Sequence, residues 1–210
     1  ISSCSKDDTP PVITLLGDNP MTVSLNGAYI ELGAAATDDE DGDVTANISI
    51  SGSVDVDAAG TYTITYSVSD KEGNAATETR TVNVENDAAY LNGTYNMTEA
   101  GNSPWTQSVT ASSTINNRVI FGKFANFSNN DKIYGTVVGS TIEIGTQTGN
   151  DIGSGGCDHV FSQDGSNTIP IAQVSGKWNF SIKFTDTRLA GGSGCTATAP
   201  VPYEDYFNQQ

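Results

Sequence analysis

The chain has 210 residues, 36% of them hydrophobic, enough to bury the cores of one or two domains. No apolar run reaches the roughly 18 residues that a membrane-spanning helix requires. A net charge of −16 excludes a nucleic-acid partner, because phosphate binding needs clustered Lys and Arg. The charge is uneven: residues 1–88 hold 16 acids and 3 bases, residues 89–210 only 9 acids and 6 bases, so the two halves read as different domains.

The first element is the lead segment, residues 1–10, with the sequence ISSCSKDD at its start. Three cysteines leave one thiol over. Cys157 (GSGGCDH) and Cys195 (GGSGCTA) share the second half and similar Gly-rich surroundings, so they are the preferred disulfide pair, with two free thiols as the alternative. Cys4 is then unpaired. Ile1-Ser2-Ser3-Cys4 resembles the end of a bacterial lipoprotein signal, and Ser5-Lys6-Asp7-Asp8 is similar to the Lys-Asp-Asp export tag of Bacteroidetes surface lipoproteins. The resemblance implies lipidation at Cys4, an outer-membrane location facing the cell exterior, and membrane contact through the lipid anchor alone. Acyl chains hold by about 0.8 kcal/mol per buried CH₂. The alternative is a flexible tail with an incidental cysteine.

Residues 11–86 read as short strands. Val12–Leu16, Met21–Ser24, Tyr29–Thr37 and Asn47–Ser51 precede the clearest signal, GTYTITYSVSD. There Tyr62, Ile64, Tyr66 and Val68 alternate with Thr and Ser, the period of a strand with one buried face. Glu72-Gly73-Asn74 turns the chain into a hairpin partner, Ala75–Val84. About seven strands in this length predict an immunoglobulin-like β-sandwich. Gly60-Thr61-Tyr62 has the placement of a tyrosine corner, whose hydroxyl bonds back to nearby backbone. The stretches AAATDDEDGDVTANI, SGSVDVDAAGTYTITYSVSDKEGN and TRTVNV resemble bacterial immunoglobulin-like surface domains related to hyalin-type repeats, which implies a spacer or adhesion module.

The loop Asp38-Asp39-Glu40-Asp41-Gly42-Asp43 is dense in carboxylates. It is not an EF-hand, because Thr37 and Ile48 stand where that loop needs an acid and a Glu. In sandwich topology the loops after 29–37 and 61–69 share one pole, so Asp70 and Asn74 can meet Asp38, Asp39, Asp41 or Asp43 in an oxygen-rich cluster suited to calcium. The alternative is turn chemistry, with Asp and Asn bonding loop amides. Calcium is the one candidate cofactor.

Residues 89–210 carry eight or nine further strand signals, among them Val137-Val138-Gly139-Ser140-Thr141-Ile142, a two-residue hairpin with Gly first in the turn. They predict an antiparallel meander, closed as a β-barrel or folded as a sandwich, with the barrel preferred. GTYNMT, VIFGKFANF, KIYGTVVGSTIEIGTQ and KWNFSIKFTDT resemble, more loosely, lipocalin-like domains of Bacteroides surface lipoproteins, some of which serve glycan uptake. Catalysis is not expected. His159 beside Asp158 and Cys157 reads as surface chemistry, and no two acids stand out as a glycosidase pair. Trp178 shares a face with Phe180, Ile182 and Phe184 and reads as core. Trp105, after Gly101-Asn102-Ser103-Pro104, reads either as an exposed loop platform for a sugar ring or as a barrel-closing residue. Tyr203-Glu204-Asp205-Tyr206-Phe207 adds aromatics or covers a sheet edge. The expected function is a non-catalytic surface lipoprotein whose spacer presents a carbohydrate-binding domain; the rival is an accessory subunit docking on an outer-membrane protein.

Overall fold

The computed structural model describes residues 6–99, 103–122, 133–150, 158–164, 170–189, 199 and 201–210. Cys4, Cys157 and Cys195 lie outside them, so lipidation and the disulfide stay expectations. The chain divides into two compact domains, Ile1–Glu85 and Asn86–Gln210.

Among the described residues the first domain has seven strands: β1 (Val12–Leu15), β2 (Met21–Ser24), β3 (Ala34–Asp38), β4 (Gly42–Asp43), β5 (Ser49–Ser51), β6 (Gly60–Ser69) and β7 (Ala75–Glu85). They form two sheets, β1-β3-β4 and β2-β7-β6-β5, antiparallel except for the parallel pair β2–β7. The period of two in β6 does what it predicts. Ile64, Tyr66 and Val68 are buried while Thr61, Thr63, Ser67 and Ser69 face water. The buried set packs with Val23, Val82, Ala36 and Val44, and Ile13 and Ile48 touch both core clusters. Each such aliphatic contributes about 1.5–3 kcal/mol by leaving water. The tyrosine corner is present, Tyr62 donating its hydroxyl hydrogen bond to the Ala58 carbonyl at 2.7 Å.

The strand expected over Tyr29–Thr37 shrinks to β3. Gly33, at φ +80°, lies outside the extended region and ends the strand there. Arg80, wholly buried on β7, donates from its guanidinium to the carbonyls of Leu16 (2.6 Å), Asp18 (2.5 Å) and Gly33 (3.1 Å) and to the Tyr66 hydroxyl (3.1 Å). Glu31 lies 3.4 Å from Arg80 Nε and accepts hydrogen bonds from the Tyr29 and Tyr66 hydroxyls. A buried charge is tolerated only when paired and hydrogen-bonded, and this one is both.

Among the described residues the second domain has ten strands: β8 (Gly93–Thr98), β9 (Trp105–Ala111), β10 (Arg118–Phe121), β11 (Tyr134–Val138), β12 (Thr141–Glu143), β13 (Gln147–Asn150), β14 (Asp158–Gln163), β15 (Ala172–Val174), β16 (Lys177–Arg188) and β17 (Val201–Gln209). They make one antiparallel sheet, ordered β12-β11-β10-β9-β8-β17-β16-β14-β13, with β15 also on β16. The first strand pairs with the last, as in an up-and-down barrel. Among the described residues no ladder joins β12 to β13. Side-chain amides bridge that seam: Gln147 exchanges two hydrogen bonds with the backbone of Tyr134 (2.7 and 3.0 Å), and Gln163 accepts from the Ile144 N–H at 2.9 Å. The sheet curls around one core that takes residues from both flanks of the seam, including Tyr95, Val109, Phe121, Ile142, Phe161, Phe180 and Phe207. The fold is thus all-β, a sandwich followed by a barrel-like meander whose described strands leave one seam unpaired.

Two features were not foreseen. Asn86, expected at the end of the first domain, is buried and belongs to the second; its amide donates to the carbonyls of Ser112 and Ile115 while its oxygen accepts from Ala88 and Asn117. Residues 201–209, read as loose aromatics or an edge cover, form a central strand with a partner on each side.

Candidate functional site

A cavity of about 400 Å³ opens beside β16 and β17 in the second domain, lined by Glu99, Asp164, Lys183, Tyr203, Glu204 and Tyr206. Register builds it. Lys183 pairs with Glu204, Ser181 with Tyr206 and Phe184 with Tyr203 across the two strands. Ser181 donates its hydroxyl hydrogen bond to Glu204 at 2.8 Å, and Lys183 Nζ lies 3.7 Å from the other carboxylate oxygen, so Glu204 is held from both sides. The Tyr206 hydroxyl is kept protonated above its ordinary range, first by its hydrogen bond to Glu204 and then by burial. Tyr203 is pushed the same way by burial and by the charges of Asp186 and Glu99, and its ring stacks on Phe184 at 5.7 Å. The cavity thus brings together two tyrosine rings with their hydroxyls, three acidic side chains and one lysine. Such a set can stack on an apolar ring face and exchange hydrogen bonds with hydroxyls. No Cys, His or Ser is among its described lining residues.

The sequence-predicted residues fall elsewhere. Trp105 is not on a loop: it opens β9, is half-buried against the barrel core, and is not among the described residues lining the cavity. Its indole N–H is buried with no acceptor among the described residues. Trp178 packs partly buried against the same core, as expected, with its ring 4.6 Å from that of Tyr90. His159 is corrected outright. It is buried on β14 rather than at the surface, and its Nδ1 sits 2.8 Å from Asp186. The cavity tyrosines had a signal in the tail's aromatic pair, but their convergence with Glu99 and Lys183 had none.

The acidic loops of the first domain do share one pole. Lys71, after β6, places its backbone N–H and its ammonium on Asp41 at 2.8 and 2.6 Å. The expected oxygen set is nevertheless partly committed. Asp43 accepts from the Thr45 N–H, and Asn74 donates to both oxygens of Asp70. Asp38 Oδ1 accepts from the N–H groups of Glu40 and Asp41. Turn chemistry uses Asp41, Asp43 and Asn74, while oxygens of Asp38 and Asp39 stay within reach of one another and of Asp7.

With an immunoglobulin-like sandwich and a barrel-like meander established, the comparisons can be stated. Residues 13–84 match the family described as bacterial surface protein, Ig-like domain, which spans the first domain. Comparison with curated proteins finds no match. Among solved structures, a lipoprotein from Bacteroides thetaiotaomicron is 19% identical with a TM-score of 0.37, over 95% of this chain and 100% of that one. The CBM51-2 and INT domains of ZmpB from Clostridium perfringens, described in complex with GlcNAc, are 18% identical with a TM-score of 0.30, over 95% of this chain and 44% of that one. A larger ZmpB structure with its M60 catalytic domain gives 16% and 0.31, over 96% of this chain and 21% of that one. All three TM-scores lie below 0.5, so no residue role is transferred from them.

Proposed function

We propose that this protein is a non-catalytic surface lipoprotein, anchored through Cys4 in an outer membrane, whose second domain binds carbohydrate in the Tyr203–Tyr206 cavity. The observation that carries the reading is the pairing of two protonated tyrosines with Glu99, Asp164, Glu204 and Lys183 in a cavity within the ~300–1,000 Å³ range of small-ligand sites. Sugar rings present apolar faces to aromatics and hydroxyls to carboxylates. The surface location is supported by the family matched at residues 13–84. A glycan array probed with the full chain tests the idea. Binding confined to one glycan class is expected; uniform silence at millimolar ligand rejects it.

One observation favours docking on another surface protein instead. Ile30 and Leu32 are 70% and 46% exposed, beside a groove along the edge strand β2. Under that reading Ile30→Lys abolishes the association and Tyr206→Ala leaves it intact.

A further inference from the structure

Asp7 stands in the lead segment, three residues after Cys4, yet it is only 5% exposed. One oxygen from each of Asp7, Asp38 and Asp39 lies within 4.8 Å of the others, and the same holds for Asp7, Asp70 and Glu72. The lead segment is fastened there: the Asn74 amide donates to the Asp7 carbonyl at 3.1 Å, and Asp7 Oδ1 accepts from the Thr9 N–H at 2.8 Å.

Two oxygens in this cluster have no donor. Oδ2 of Asp7 and Oδ2 of Asp38 are buried, and no hydrogen-bond partner among the described residues reaches either. Asp38 itself is 8% exposed. Buried carboxylates are normally paired with a cation or ligate a metal. The nearby cations are spoken for and solvated: Lys71 is committed to Asp41, and Lys6 to Asp8.

We propose that Asp7, together with Asp38 and Asp39, binds a calcium ion at this pole, clamping the lead segment onto the loop after β3. Ca²⁺ takes six to eight oxygens at about 2.3–2.6 Å, so two of its ligands stand at most about 5 Å apart. The 4.8 Å limit on the oxygen clusters fits that sphere. Sequence reasoning put the ion among Asp38, Asp39, Asp41, Asp43, Asp70 and Asn74, of which Asp41, Asp43, Asp70 and Asn74 are already engaged; it missed Asp7, whose place on the far side of β1 in sequence hid its approach. The ion makes the spacer stiff at its anchored end.

The test is calorimetric titration of Ca²⁺ into the metal-free full chain, with Mg²⁺ in parallel. Saturable Ca²⁺ binding is expected, in the micromolar to millimolar range of calcium modules. Asp7→Asn and Asp38→Asn keep their backbone acceptors and fold, and each weakens binding about tenfold or more. Asp55→Asn, at the opposite end of β6, leaves it unchanged. The proposal is overturned by no saturable uptake on the folded chain, by Mg²⁺ binding as tightly as Ca²⁺, or by unaltered affinity in both cluster variants.

Discussion

Replacing Arg80 by Met is the sharpest perturbation of the first domain. Met matches most of the buried volume but supplies no donor. The change strips hydrogen bonds from the carbonyls of Leu16, Asp18 and Gly33 and from the Tyr66 hydroxyl, and leaves Glu31 without its counter-charge. Breaking a buried ion pair from one side costs about 3–5 kcal/mol, and each stranded buried carbonyl about 1–3. Glu31 is 23% exposed and keeps its two phenol donors, and the Leu16 and Asp18 loops can take up water, so these costs do not add in full. The expected loss is about 3–5 kcal/mol, which lowers the melting temperature of a domain this size by roughly 12 °C or more. Both tryptophans, Trp105 and Trp178, lie in the second domain, so tryptophan fluorescence follows that domain alone. Scanning calorimetry of the full chain should show the first-domain transition falling while the fluorescence melt stays put. A shift worth less than about 1 kcal/mol would refute the placing of Arg80 at the centre of that domain.

Other consequences are equally direct. Tyr95→Phe removes a fully buried hydroxyl that donates to the Leu91 carbonyl at 2.8 Å; the second domain should lose about 1–3 kcal/mol in a fluorescence-monitored urea melt, and an unchanged midpoint contradicts the bond. Gly52→Ala sets a Cβ 2.4 Å from the Thr63 carbonyl oxygen at φ +101°, so the first domain should lose about 1–3 kcal/mol by calorimetry; wild-type stability would refute the clash. Burial works against the Glu31 charge, but the Tyr29 and Tyr66 hydroxyls, the Gly33 N–H and Arg80 outweigh it and hold the carboxyl below its ordinary value. A depressed folded value gives stability that is complete above the unfolded value, near pH 4.3, and is lost as pH falls through the folded one. The first-domain melting temperature should therefore drop below about pH 4, and less steeply in Glu31→Gln; parallel curves for the two proteins would contradict this.

Local signals were legible and long-range ones were not. The alternation in β6, the Tyr62 corner and the Gly139 hairpin each depend on neighbours within a few residues, and all three stand in the structure. The second Tyr corner was missed although Gly93-Thr94-Tyr95 repeats Gly60-Thr61-Tyr62. Strand β17 escaped because its inward row includes Asp205, a wholly buried carboxyl that breaks the apolar pattern. Arg80 sits on an alternating strand like any exposed charge, and only the loops folding over it bury it. The meeting of the acidic loops followed from topology, yet Asp7 joined them from a segment with no strand signal. The cavity gathers residues from 99 to 206, and no spacing rule spans that distance.

The central claim is that the second domain binds glycan through the Tyr203–Tyr206 cavity. Affinity electrophoresis of the full chain through gels cast with a polysaccharide panel tests it, with Tyr206→Ala and Trp105→Ala run alongside. The account predicts retardation by one polysaccharide class, lost in Tyr206→Ala and kept in a folded Trp105→Ala. Retardation that survives Tyr206→Ala, or none across the panel, contradicts it.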